Sequence, residues 1–156
     1  MNATIIGTGS CLGSKEYSNY DLWNWKRVQE GFDTNHWREK LGVGEKVEAL
    51  SNADVFNLAV KQITGIEKRH FSFDKSAEEL GAEAATIALS DAGISATDLD
   101  YIIVGIFTGN KDIPAPAVST KDLIGAQEGG TLTHNEACSG FIYGLDVAFG
   151  KLQTGD

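Results

Sequence analysis

Apolar and polar positions follow two rhythms along this chain, and the clearer signal lies past its middle. Leu99 to Phe107 reads Leu-Asp-Tyr-Ile-Ile-Val-Gly-Ile-Phe, a nearly continuous apolar run rich in β-branched residues. Such a run predicts a strand buried on both faces. Thr131–Asn135 predicts a second inner strand, and Thr4-Ile5-Ile6 a short buried strand that turns at Gly7-Thr8-Gly9-Ser10. Ahead of the long run, Leu80, Ala84, Ile87, Ala88 and Ala92 recur at helical spacing. Ser76 and Glu79 have the spacing of a capping box for that helix, and Gly93 is placed to end it. Pro114 or Pro116 opens the next helix, which runs to about Ile124 and stops at Gly125. Beyond Cys138, Phe141, Leu145, Ala148, Phe149 and Leu152 share one face of a helix over Ser139–Thr154, with Gly155 as its end.

The segment from Asp21 to Gln62 is less regular. Leu22, Trp23, Trp25 and Val28 suggest one helix, and Val55, Phe56, Leu58, Ala59 and Ile63 another. Gly42-Val43-Gly44-Glu45-Lys46 reads as a loop between them. Strands separated by helices imply βαβ units, a mostly parallel sheet and right-handed crossovers. The chain stops directly after a helix, where such a fold expects another strand.

Composition narrows the classes. At 156 residues the chain suffices for one ordinary domain with a sizeable core, and 42% hydrophobic with 22% charged residues is a globular balance. The 13 Lys and Arg against 22 Asp and Glu give a net charge of -9, which argues against general nucleic-acid binding. No apolar run approaches the roughly 20 residues of a membrane-spanning helix. The N-terminus has no basic head and no long apolar stretch, so it does not read as a secretory signal. Cys11 and Cys138 are too few for a disulfide framework and fit a reducing cytosol, so a cytoplasmic protein is expected.

Candidate chemistry centres on Cys138. A cysteine between a buried strand and a helix is lifted to the carboxyl edge of the sheet, where open α/β folds bind ligands. The helix N-terminus favours a negative sulfur, and the cysteine N–H is placed to stabilise an oxyanion on an attacked thioester. Gly140 and Gly144 leave room for a bulky substrate. Position alone leaves two readings open, a nucleophile or a small buried hydrophobe. His134 lies nearby but falls within the strand pattern. The three histidines, His36, His70 and His134, and the two cysteines show no metal-ligand spacing. Gly7, Gly9 and Gly13 miss the dinucleotide-binding pattern, because the third glycine is one position late and no apolar helix face follows. Neither metal nor cofactor is expected.

Several segments in order resemble the N-terminal part of the β-ketoacyl-[acyl-carrier-protein] synthase III family, condensing enzymes of the thiolase superfamily. They are Ile5–Ser10, the Thr64-Gly65-Ile66-Glu67-Lys68-Arg69-His70 segment, Glu83 through Ile94, Asp100 to Gly105, and Ala137-Cys138-Ser139-Gly140-Phe141-Ile142-Tyr143-Gly144-Leu145. The last is similar to the family's nucleophile segment. The resemblance covers nearly the whole chain apart from about residues 23–52, which read as an insertion. It implies the N-terminal, nucleophile-bearing half of a thiolase-like α/β fold over residues 1–156, with the C-terminal half absent. The isolated chain is then expected not to complete a condensation, being a fragment of a longer protein or one subunit of a split enzyme.

The resemblance further implies an acyltransferase of fatty-acid initiation. Cys138 takes an acyl group from acyl-CoA, and the acyl-enzyme condenses decarboxylatively with malonyl-acyl carrier protein. Ile113 matches a residue that bounds a neighbouring subunit's acyl pocket, so a homodimer is expected. The catalytic histidine and asparagine belong to the half not present, the rest of a longer protein or a separate C-terminal polypeptide. Ala59 and Ile63 stand where a Trp and an Arg stack on the coenzyme's adenine; Trp37 and Arg38, in Asp33–Val43, are the substitutes. Lys26, Arg27, Arg38, Lys68 and Arg69 are the basic residues available to an acidic carrier protein. Two alternatives accompany this reading: a secondary-metabolism acyltransferase or condensing enzyme using the same cysteine, and a non-catalytic thiolase-fold partner.

Overall fold

A computed structural model describes residues 3–42, 49–109 and 113–155. The chain forms two compact units, residues 13–72 and residues 1–12 with 73–156.

The 13–72 unit begins with strand β1 (Lys15–Ser18) and helices α1 (Asn19–Trp23), α2 (Lys26–Gly31) and α3 (Thr34–Leu41). Helix α4 (Asn52–Thr64) and strand β2 (Lys68–Phe71) complete it. The strands pair antiparallel, Lys15 opposite Phe71 and Ser18 opposite Lys68. Neither strand was legible, since each spans only four residues and mixes polar and apolar positions. The single helix expected from Leu22 to Val28 is instead two. Asn24 closes α1 by returning its N–H to Asp21 and Leu22, and Trp25 turns extended before α2. Helix α4 is fixed by a capping box in which Ser51 and Asp54 exchange side-chain and backbone hydrogen bonds. Its inner face buries Val55, Phe56 and Ala59, with Phe56 edge-on to Phe32 at 5.0 Å and tilted against Trp23 at 5.6 Å. Of the expected loop, Gly42 caps α3, and residues 43–46 lie outside the described residues.

The second unit carries the regular part of the pattern. It holds helix α5 (Ala77–Ala92), strand β3 (Tyr101–Gly105), helix α6 (Pro116–Leu123), strand β4 (Gly130–His134) and helix α7 (Gly140–Thr154). Short 3-10 turns lie at Ala96–Asp98 and Ala137–Ser139. The Ser76–Glu79 capping box starts α5, left-handed Gly93 ends it, and Pro116 opens α6. Strands β3 and β4 pair in parallel, Tyr101 opposite Gly130 and Gly105 opposite His134. Thr133 accepts the Ala117 N–H from α6, whereas His134 packs against Gly140 and Gly144 of α7. Neighbouring strand residues point to opposite faces, so α6 and α7 cover the two sides of the β3–β4 ribbon.

Three expectations are corrected here. Thr4–Ile6 makes no strand: the segment lies outside any ladder, and Ile5 is 68% exposed. It lies instead on α5, where Gly7 and Gly9 bring the backbone against Ala84 and Ala88. That close approach accounts for the two glycines that mimic a dinucleotide fingerprint. Second, β3 and β4 are half-buried rather than buried, because the ribbon has only two strands among the described residues. Third, the apolar face of α7 is open: Phe141 is 74% exposed, and Leu145, Phe149 and Leu152 are exposed too. No helix among the described residues is long and apolar enough to cross a membrane.

Candidate functional site: the turn that carries Cys138

Strand β4 ends at His134, and helix α7 begins at Gly140. The five residues between them reverse the chain within a single 3-10 turn. Ser139 donates to the Glu136 carbonyl twice, from its N–H at 3.0 Å and its hydroxyl at 2.8 Å. The Ala137 N–H donates to the Asn135 side-chain oxygen at 3.4 Å. Ala137 has φ 44°, among the described residues the only positive value not on a glycine. A left-handed alanine costs about 1–2 kcal/mol, which the surrounding turn must offset. Its effect is to make the corner sharp, with the next residue, Cys138, exposed at the tip.

No side chain caps α7, because Ser139 is turned into the helical region and bonds backward to Glu136. The 15-residue helix therefore directs an uncapped N-terminus toward the turn that carries the thiol, the end that favours negative charge. A cavity of about 360 Å³ opens beside the first turns of α7, walled by Ile103, His134, Phe141, Leu145 and Ala148. The expected placement of Cys138 between strand and helix is what the fold delivers. The strained alanine gave no sequence signal, since glycine is the residue expected at such a φ.

The remaining candidates sit differently. The His134 nitrogens are buried and have no hydrogen-bond partner among the described residues, so no hydrogen bond links this ring to Cys138. Ile113 is 88% exposed at the start of the Ile113–Pro114 bond that leads into α6. Trp37 and Arg38 belong to the 13–72 unit. There Trp37 stacks on Phe32 at 6.3 Å with Lys40 over its face, and the Arg38 guanidinium donates to the Leu50 carbonyl at 2.7 Å and the Asn52 side chain at 3.0 Å.

The basic residues read as a carrier-protein patch are largely engaged nearby. Lys26 faces Glu30 at 3.4 Å, Lys68 faces Glu16 at 2.7 Å, and Arg69 donates to the fully buried Asn19 at 2.8 Å. Among the described residues no group of three His, Cys, Asp or Glu side chains could hold a metal ion.

The other cysteine has a contrasting environment. The Cys11 thiol donates to Glu83 at 3.1 Å, and Lys75 holds the same carboxylate. That hydrogen bond, helped by partial burial and the carboxylate's charge, raises the Cys11 pKa, with Lys75 opposing in part.

A parallel βαβ ribbon flanked by helices, with a cysteine at the strand-to-helix corner, defines an α/β chain with a candidate nucleophile at the carboxyl edge of its strands. No family model matches it. The β-ketoacyl-[acyl-carrier-protein] synthase III 1 of Bacillus cereus is 31% identical over 156 residues, which cover 99% of this chain and 42% of that protein. The β-ketoacyl-[acyl-carrier-protein] synthase III of Clostridium perfringens is 36% identical over 97 residues, 62% of this chain and 30% of that one. The crystal structure of 3-oxoacyl-[acyl-carrier-protein] synthase III from Aquifex aeolicus superposes with a TM-score of 0.75 at 27% identity, covering 99% of this chain and 41% of that chain. The chain thus spans less than half the length of these relatives. It belongs to the β-ketoacyl-[acyl-carrier-protein] synthase III family.

Proposed function

We propose that this chain is the nucleophile-bearing part of a synthase III-type condensing enzyme, with Cys138 as the acyl carrier. The observation that carries the reading is the exposed thiol at the left-handed Ala137 corner, ahead of the uncapped N-terminus of α7. In the first step the Cys138 thiolate attacks the carbonyl carbon of an acyl-CoA. The oxyanion is stabilised by the Cys138 N–H, and coenzyme A leaves as its thiolate, which takes a proton from water. In the second step malonyl-acyl carrier protein loses carbon dioxide, and its α-carbon attacks the acyl-enzyme. A carbon–carbon bond forms, the carbon–sulfur bond breaks, and the thiolate returns.

The acid–base groups of the second step come from polypeptide outside this chain. Ile113 borders the acyl pocket of a second subunit in a homodimer. No cofactor takes part, and the enzyme works in the cytosol.

The test is denaturing intact-mass measurement after adding short- and medium-chain acyl-CoA separately, with Cys138→Ala as control. A mass gain equal to the acyl group, absent from the control, is the expected result. No adduct with any donor overturns the reading. An adduct that never turns over, even with a full-length relative's C-terminal part supplied, makes the chain a non-catalytic acyl-binding partner.

A further inference from the structure

The His134 ring occupies a socket built from glycines on two elements. A Cβ on Gly105 of β3 would stand 2.9 Å from its Cε1 and 3.0 Å from its Nε2. One on Gly144 of α7 would stand 3.3 Å from Nε2, and one on Gly140 3.6 Å from Cε1. Tyr143 adds its own ring at 5.0 Å between centroids, tilted by 58°. Residues 140, 143 and 144 lie on one helical face, so the first turns of α7 grip the imidazole together. Neither ring nitrogen has a partner among the described residues, and both are sealed from solvent. An unpaired buried polar atom opposes stability. Polarity therefore does not hold the ring there, and shape is what it supplies.

The socket lies where β4 and α7 converge, at the two ends of the turn that carries Cys138. On the strand side the His134 carbonyl is pinned by the Ile106 N–H at 3.0 Å. On the helix side Gly140 is buried against the ring.

We propose that His134 is a positioning residue for Cys138, its ring acting as a spacer that sets the gap between the end of β4 and the first turn of α7. With the gap fixed, the five-residue connection closes only through the left-handed Ala137, and the thiol stays at the N-terminus of α7. Without the ring, Gly105, Gly140 and Gly144 offer no side chains to fill the void. The helix then settles onto the ribbon, and the corner relaxes.

The inference rests on Cys138 being the nucleophile, but its test uses no acyl donor, so the two readings fail separately. The 156-residue chain is alkylated with iodoacetamide near neutral pH, and peptide mass spectrometry follows the rate at Cys138 relative to Cys11, with circular dichroism reporting the fold. His134→Ala and His134→Asn are expected to lower that ratio at least about fivefold, because a sulfur moved off the N-terminus of α7 loses the dipole and N–H groups that favour its thiolate. His134→Phe, a ring without the nitrogens, is expected to restore it. Gly144→Ala, which crowds the socket from the helix side, lowers the ratio as well and decides the matter if His134→Ala does not fold. An unchanged ratio in the folded His134→Ala or Gly144→Ala chain overturns the proposal. So does a ratio that survives in His134→Asn but not in His134→Phe.

Discussion

The Cys11 thiol gives its proton to a hydrogen bond with the Glu83 carboxylate, 3.1 Å away. This bond stabilises the protonated sulfur, because a thiolate beside a carboxylate would place two negative charges together. Cys11 is accordingly held above its ordinary pKa, first by that hydrogen bond. Near neutral pH, Cys11 is therefore expected to alkylate more slowly than the exposed Cys138. Glu83→Gln removes the charge and should move the alkylation midpoint of Cys11 to lower pH while leaving Cys138 unaffected. Equal rates at the two thiols of the wild-type chain would remove the case for an activated Cys138.

Ala137 gives a second test, of the corner rather than the thiol. At φ 44° an alanine is strained but tolerable, a glycine is free and a β-branched residue is worse. Ala137→Gly relieves the strain but loosens the unfolded chain, so its stability should lie within about 1 kcal/mol of wild type. Ala137→Val should cost about 2 kcal/mol. Urea unfolding of the three proteins, read by far-ultraviolet circular dichroism, checks the order. A valine variant as stable as wild type would mean that residue 137 is not left-handed in solution.

These tests follow a boundary in what the sequence conveys. The unit around β3 and β4 was legible because its signals are local. Ser76 and Glu79 lie three residues apart, Gly93 and Gly125 sit at helix ends with positive φ, and the β3 run is continuously apolar. The place of Cys138 was legible for the same reason. The strain at Ala137 was not, since nothing local marks an alanine for the left-handed region. Nor was the antiparallel pairing of β1 with β2, which joins Lys15 to Phe71 across 56 positions of sequence (71 − 15). The polar network at Asn19 is equally nonlocal: its side chain donates to Asn57 and the Ile66 carbonyl and accepts from Arg69. A fully buried asparagine with three such partners looks, in sequence, like an ordinary helix-start residue.

The capping boxes of α1 and α4 should make the 13–72 unit acid-sensitive. Asp21 is held below the usual aspartate range by the Ser18 hydroxyl and N–H, and Asp54 by those of Ser51, with the Tyr20 hydroxyl adding to the latter. A carboxylate whose pKa is depressed on folding stabilises the fold fully above its unfolded pKa. That stabilisation is lost as pH falls through the lower, folded value. The loss should thus set in below about pH 4, the ordinary aspartate pKa. Asp54→Asn should flatten the acid limb of a stability–pH curve measured by denaturant unfolding while lowering the plateau at neutral pH. An unchanged acid limb in Asp21→Asn and Asp54→Asn together would show that the boxes do not hold these helices in solution.

Gly9 and Gly150 make opposite predictions from the same substitution. A Cβ on Gly9 would fall 2.1 Å from the Ala84 carbonyl oxygen and 2.6 Å from the Ala88 nitrogen, both backbone atoms of α5 that have nowhere to go. Gly9→Ala should therefore cost about 1–3 kcal/mol through overpacking, or release the N-terminal segment from the helix. A Cβ on Gly150 meets nothing within 4 Å, and the residue lies inside α7. There the methyl group only improves helix propensity, so Gly150→Ala should stabilise by about 0.5–1 kcal/mol. Urea midpoints of the two variants, together with amide exchange at Ala84 and Ala88, separate the possibilities. If Gly9→Ala matches wild type in both readouts, the N-terminal segment does not rest on α5, and the close approach of the two backbones is not what requires glycine there.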